Sequence, residues 1–157
     1  KAVAEKVIAN VRTMGMALTP CTVPAAGKPG FELSEQEMEM GIGIHGEPGT
    51  HRQAIATADE ITDHMLGKIL GDMDLKANDE VAVMVNGFGG TPLMELYIVN
   101  NHVYDVLTEK GIKIHKTFVG NYMTSIEMAG CSITLLKLDE ELKELLDAKA
   151  NTIAFRV

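Results

Sequence analysis

The stretch that could do chemistry is GIGIHGEPGTH, residues 41–51, in which His45 lies between Ile44 and Gly46 and is followed by Glu47, Pro48, Gly49 and His51. A histidine titrates near neutral pH, so its ring can serve as base, nucleophile or metal ligand. Before it, Met38, Met40, Ile42 and Ile44 alternate with Glu39, Gly41, Gly43 and His45, which predicts a strand that turns the imidazole away from an apolar face. Gly41 and Gly43 would leave the histidine's side bare, open to a ligand or a neighbouring backbone. Gly46, Pro48 and Gly49 then predict a sharp turn. The pattern leaves a second reading open, a turn histidine whose ring only makes a hydrogen bond.

The other candidates carry less. His45 and His51 are separated by a Pro-Gly turn with Glu47 between them, but this is not the helical pairing of a metal site, and no third ligand cluster accompanies it. No metal is therefore expected. His64 and His102 fall on predicted helices and His115 on the polar side of a predicted strand, so all three are expected to be structural or surface residues. NGFGGTP, residues 86–92, invites comparison with a phosphate loop. Its Pro92 occupies the place of the last glycine of the dinucleotide fingerprint, and no Lys-Ser or Lys-Thr follows, so a tight strand-to-helix turn is the expectation. Cys21 and Cys131 have neither metal nor redox spacing and are expected to be buried thiols.

These residues need elements to position them. Val3, Val7, Ile8 and Val11 predict a helix over 2–13, with a strand near 16–19. The Pro- and Gly-rich segment near 20–34 predicts an exposed loop. Thr57 and Glu60 form a capping box for a helix to about Leu70. VAVMV, residues 81–85, predicts a central strand covered on both faces. Thr91 as cap and Pro92 at the first position predict a helix to about Lys110, stopped by Gly111. Strands are expected over 112–120 and 132–138, then a helix capped by Asp139, and TIAFRV as an edge strand. Alternating elements of this kind imply an α/β fold: one sandwich-like domain over 1–157, with a central, mainly buried sheet flanked by helices.

Composition excludes some functions. A net charge of −8 opposes the phosphate-neutralising surface of a nucleic-acid binder. No apolar run approaches the ~20 residues of a bilayer span, and KAVAEKVIANVRTMG lacks a signal-peptide core. A soluble, cytoplasmic protein with no membrane and no nucleic-acid partner is expected. The chain opens at Lys1 directly into a helical pattern, which reads as a fragment of a longer protein.

In order and spacing, GIGIHGEPG, VNGFGGTPLMELY and GNYMTSIEMAGCSITLLKLD resemble the second half of the dihydroxyacetone kinase substrate-binding subunit, and the resemblance spans nearly the whole chain. It implies two α/β subdomains, of which this chain is the carboxy-terminal one. It further implies that His45 bonds through an imidazole nitrogen to the carbonyl of dihydroxyacetone as a hemiaminal. The family's proton-transfer Asp and second His belong to the missing amino-terminal subdomain. No cofactor is expected in this chain. The phosphoryl donor, ATP or a phosphorylated carrier subunit of a phosphotransferase relay, would sit on a partner domain or subunit, with the relay preferred. A nucleotide-binding kinase subunit or domain and a homodimer are the other implied partners.

Chemistry agrees with this role, because a reversible bond to carbon separates a ketone from glycerol, which a hydrogen-bonding pocket does poorly. Two other functions remain open at this stage. One is a dihydroxyacetone-sensing paralogue that acts on a transcription regulator through a protein partner; the other is a scaffold or dimerisation domain. The residues upstream of Lys1 would separate kinase from sensor.

Overall fold

The computed structural model describes residues 1–45 and 47–156. Helix α1 (Ala2–Asn10) runs directly into β1 (Val11–Ala17), followed by β2 (Glu37–Met40), β3 (His51–Ala54), α2 (Ala58–Gly71), β4 (Glu80–Gly87), α3 (Leu93–Glu109), β5 (Lys113–Gly120), β6 (Gly130–Leu138) and α4 (Glu140–Asp147). The strands form one six-stranded sheet in the order β3-β2-β1-β6-β4-β5. Among the described residues β4 and β5 form the one parallel strand pair, joined by the α3 crossover, and the other four pairs are antiparallel.

Side-chain alternation divides the sheet into two faces. Met16, Val81, Val83, Val85, Cys131, Ile133 and Leu135 point to one face, where α2 and α3 bury them with Met65, Leu66, Leu96, Val103 and Leu107. The expected interior strand is β4, with Val81, Val83 and Val85 no more than 1% exposed. On the opposite face α1 and α4 cover one end, where Ala82, Leu136 and Leu138 pack with Val7, Leu142 and Leu146. At the other end Ala17, Ile42, Phe88 and Met128 form a small second cluster. Between these ends no helix among the described residues lies over this face of the sheet, which leaves a cleft.

Capping follows the sequence in two places. Thr57 and Glu60 make both bonds of their capping box, and the Asp139 carboxylate accepts the Leu142 amide at 2.9 Å. Gly111, at φ 71°, ends α3 as expected. Thr91 behaves differently. Its hydroxyl donates to the Gly130 carbonyl and accepts the Gly130 amide, both at 2.8 Å, so it stitches the loop to β6 while the helix starts uncapped after Pro92.

Several boundaries move. The first helix stops at Asn10, because Val11 takes extended angles and begins seven residues of pairing with β6. The strand predicted over 38–44 ends at Met40, since Gly41 adopts φ 80° and swings the chain out of the sheet. Ile42 and Ile44 still point inward, but into the second cluster. Strand β3 has no apolar alternation and was not expected; it is an edge strand of exposed or half-buried residues, three of its four polar, held by backbone pairing to β2. TIAFRV does not form a strand among its described residues: Asn151 and Arg156 make one isolated bridge, and the Phe155 ring packs at a tilt against Phe118, 5.2 Å between ring centres. Val157 lies outside the described residues.

Candidate functional site

The cleft follows from the cross-strand register. Thr13 pairs with Thr134 and Thr134 with Met84; Gly15 pairs with Ser132 and Ser132 with Asn86. These two rows form the floor, between the row covered by α1 and α4 and the row closed by Phe88. The cavity above them measures about 960 Å³, and its rim includes Gly41–His45, Glu47 and His51. Gly15 lets the rim approach: a Cβ there would lie 2.6 Å from the Ile42 carbonyl oxygen and 2.9 Å from the Phe88 ring.

Asn86 organises the far wall. It is buried, and its Oδ1 accepts the amides of both Tyr122 and Met123 at 2.9 Å, while its Nδ2 donates to the Met123 carbonyl at 2.7 Å. One side chain therefore satisfies three backbone groups of the β5–β6 connector. Sequence reasoning missed this role, since an Asn at a strand end reads as a turn residue.

His45 stands on the loop between β2 and β3, whose ends are closed by the Thr50 amide donating to the Met40 carbonyl at 2.6 Å. Ile42 and Ile44 anchor one limb of this loop in the second cluster. Its return limb is held by Glu39, which accepts the Gly49 amide at 3.0 Å and the Arg52 Nε–H at 2.7 Å. The imidazole is presented outward, with 80% of its side chain exposed. Its Nδ1 lies 2.8 Å from Glu47 Oε1, and its backbone amide donates to Glu47 Oε2 at 3.0 Å. The Glu47 carboxyl is held below its ordinary range by its own backbone amide, then by the His45 ring. The predicted turn contains Gly46, which lies outside the described residues.

The glycines before His45 serve the loop itself: of the two uses expected of them, room for a ligand or for a neighbouring backbone, Gly41 serves the second, lying against Thr50. A Cβ on Gly43 would lie 2.2 Å from Glu47 Oε2, and one on Gly41 would meet Thr50 at 3.0 Å. Glu47 occupies the space that the sequence suggested was empty.

The remaining histidines are engaged separately. His51 shares hydrogen bonds with Thr50 Oγ1 and Gln53 Oε1, both at 3.0 Å, and its ring centre is 5.3 Å from that of His64. His64 carries a buried Nε2 with no protein partner, and burial first, then His51 and Lys68, hold its pKa below the ordinary value. His102 meets Asp63 at 2.8 Å and His115 meets Asp147 at 2.9 Å. Among the described residues no group of three or more His, Cys, Asp or Glu side chains is arranged to hold a metal. Cys131 is buried, its thiol pushed up to about 12 by desolvation. Cys21, expected to be buried, is only half so, and the Ser125 hydroxyl holds its pKa below the usual range.

The glycine-rich loop after β4 is spent on packing. Phe88 and Gly90 donate their amides to the Gly130 and Met128 carbonyls at 3.1 and 3.0 Å, and Gly89, at φ 105°, has room for no Cβ beneath the Ile126 carbonyl. It is a tight turn, as expected.

The histidine at the mouth of a cleft, on this fold, coincides with a sequence-family match: the Dak1 domain model covers residues 1–154. The chain belongs to the Dak1 domain family. Among curated Dak1 relatives, a dihydroxyacetone-binding subunit of a PTS-dependent dihydroxyacetone kinase from Listeria innocua is 51% identical over 99% of the chain and 47% of its own length. The corresponding subunit of the PEP-dependent kinase of Escherichia coli is 39% identical, covering 90% of this chain and 47% of that protein. The human triokinase/FMN cyclase is 41% identical over 91% of the chain and 26% of its own length. Among solved Dak1 structures, a dihydroxyacetone kinase operon co-activator matches with TM-score 0.87 at 34% identity, over 98% of this chain and 47% of that one. The dihydroxyacetone kinase of C. freundii matches with TM-score 0.81 at 25% identity, over 98% of this chain and 28% of that one. The chain thus spans about half the length of the curated subunits it matches, 47% in each of the two named above. Among the described residues no helix is long and apolar enough to cross a membrane.

Proposed function

We propose that this Dak1 chain is the histidine-bearing half of a dihydroxyacetone-binding kinase subunit, and that His45 holds the substrate as a hemiaminal through an imidazole nitrogen while it is phosphorylated to dihydroxyacetone phosphate. The observation that carries the reading is the placement of His45: exposed, on a loop anchored at both limbs, at the rim of a cleft. A neutral imidazole can add to a ketone, whereas glycerol offers no electrophilic carbon. Selection of the substrate is therefore assigned to this chain. Phosphoryl transfer, which is mainly positioning and charge stabilisation, is assigned to groups elsewhere in the intact, cytoplasmic protein and to its donor. Relatives named for a PTS- or PEP-dependent kinase favour a phosphorylated carrier subunit over ATP as that donor.

The test is a carbon NMR spectrum of dihydroxyacetone labelled at its carbonyl carbon, bound to the full-length protein. The bound carbon is expected in the tetrahedral region with wild type and absent from it in His45→Ala. A bound signal that stays ketonic in wild type would sink the covalent role. The curated relatives that reach 51% identity are named as kinase subunits, which supports the kinase reading over the sensing alternative.

A homodimer belongs to the same reading. Leu93, Met94, Tyr97, Ile98 and Tyr104 lie exposed along α3, on the face opposite the cleft, so a second copy paired there would leave His45 accessible. Antiparallel pairing centred between Ile98 and Val99 would set Leu93 of each copy against Tyr104 of the other, the self-complementarity a two-fold interface requires.

A further inference from the structure

The proposed addition leaves undecided which imidazole nitrogen attacks and what holds the ring while it does. The contacts of Glu47 decide both. A carboxylate has no proton to give, and this one is held below its ordinary range, so at neutral pH it can only accept. The 2.8 Å contact with Nδ1 therefore makes Nδ1 the protonated nitrogen of the neutral ring. A neutral imidazole carries one ring proton, so Nε2 has the lone pair. Among the described residues nothing is hydrogen-bonded to Nε2.

The grip is two-pronged. Oε2 accepts the His45 backbone amide at 3.0 Å while Oε1 takes the ring, so one carboxylate fixes both the main chain and the side chain of the same residue. It also requires an absent side chain two residues before His45, because a Cβ on Gly43 would lie 2.2 Å from Oε2 and displace it. The spacing Gly43, His45, Glu47 thus describes one device.

We propose that Glu47 is the positioning residue for His45, selecting the tautomer in which Nε2 attacks the substrate carbonyl. This rests on the covalent reading above. In the addition, the Nε2 lone pair forms the nitrogen–carbon bond, the carbonyl π pair moves to oxygen, and that oxygen takes one proton from solvent. The ring keeps its Nδ1 proton and becomes a cation, stabilised by the carboxylate it already touches. Nothing leaves, so the reverse step releases intact dihydroxyacetone.

Two variants of the full-length protein separate the parts of this device. Glu47→Gln keeps a carbonyl acceptor for Nδ1–H but removes the charge, and Glu47→Ala removes both. Nitrogen NMR of the labelled His45 ring, without substrate, is expected to report the Nδ1–H tautomer in wild type and Glu47→Gln, and loss of that bias in Glu47→Ala. The tetrahedral carbon signal of labelled dihydroxyacetone is expected to weaken roughly ten- to hundred-fold in Glu47→Ala, the scale of a lost hydrogen bond to a charged group, with Glu47→Gln between it and wild type. A structural role alone would not produce the tautomer change or the partial rescue. An Nε2–H tautomer in wild type overturns the proposal, as does an undiminished adduct in Glu47→Ala. If wild type itself gives no tetrahedral carbon, the covalent reading fails on that spectrum, and the tautomer pattern alone then decides whether Glu47 positions the ring.

Discussion

Glu39 and Arg52 face each other in the register of β2 and β3, and the Glu39 carboxylate holds the Arg52 Nε–H at 2.7 Å while its other oxygen accepts the Gly49 amide at 3.0 Å. Glu39 is 8% exposed, so these bonds replace most of its hydration. One buried carboxylate thereby ties an edge strand to the return limb of the loop that carries His45. Replacing it by alanine leaves an amide and a guanidinium without their acceptor, and a loss of about 1–3 kcal/mol is expected. Urea denaturation of Glu39→Ala measures this, and titration with dihydroxyacetone is expected to weaken although His45 is untouched. An unchanged midpoint would show that the loop does not depend on Glu39.

Asn86 holds three backbone groups of the β5–β6 connector from a buried position. Asn86→Ala strands two amides and a carbonyl, with an expected cost of about 2–3 kcal/mol. The matching measurement is the shift in the unfolding midpoint, with hydrogen exchange of the Tyr122 and Met123 amides as the local check. Exchange there should accelerate more than exchange in β4.

His64 supplies a pH dependence. Its folded pKa is lowered from 6.5 by burial, by His51 and by Lys68, so the unfolded chain binds the proton more readily. The contribution is complete above the unfolded value and is lost as pH falls from there through the lower, folded value. His64→Gln is expected to flatten this part of the stability–pH curve. Parallel wild-type and variant curves between pH about 6.5 and the acid limb would contradict the assignment.

This chain by itself is expected not to phosphorylate dihydroxyacetone, whether with ATP or with a phosphorylated carrier subunit. Its glycine-rich loop spends its amides on Gly130 and Met128, and it spans about half of its curated relatives. A coupled assay checks this; turnover that disappears in His45→Ala would prove it wrong.

The exposed stripe on α3 predicts association through that helix. Tyr97→Glu combined with Ile98→Glu is expected to halve the mass of the full-length protein by light scattering, with the carbon spectrum of bound substrate unchanged. A dimer that survives both changes would place the interface elsewhere.

Local patterns were enough for the elements that depend on local physics. The capping box at Thr57, the continuous apolar run of β4, the stop at Gly111 and the outward presentation of His45 could all be read from neighbours within a few residues. The motifs around His45 and Cys131 also carried the family. What the sequence could not disclose depended on distant partners. Strand β3 has no hydrophobic signature, because its stability comes from backbone pairing to β2. Thr91 gives up its cap to bind Gly130, 39 residues away, and Asn86 reaches Met123, 37 residues away. Glu47 is only two residues from His45, yet its role stayed hidden, because the same spacing suits a solvated turn. It took the fold of the loop, with Gly43 vacating the space and Ile42 and Ile44 anchored beneath, to bring that carboxylate against the ring. Chain-local preference determines which side of a strand a residue takes, whereas the partner a polar group finds is decided by which segments the sheet order brings together.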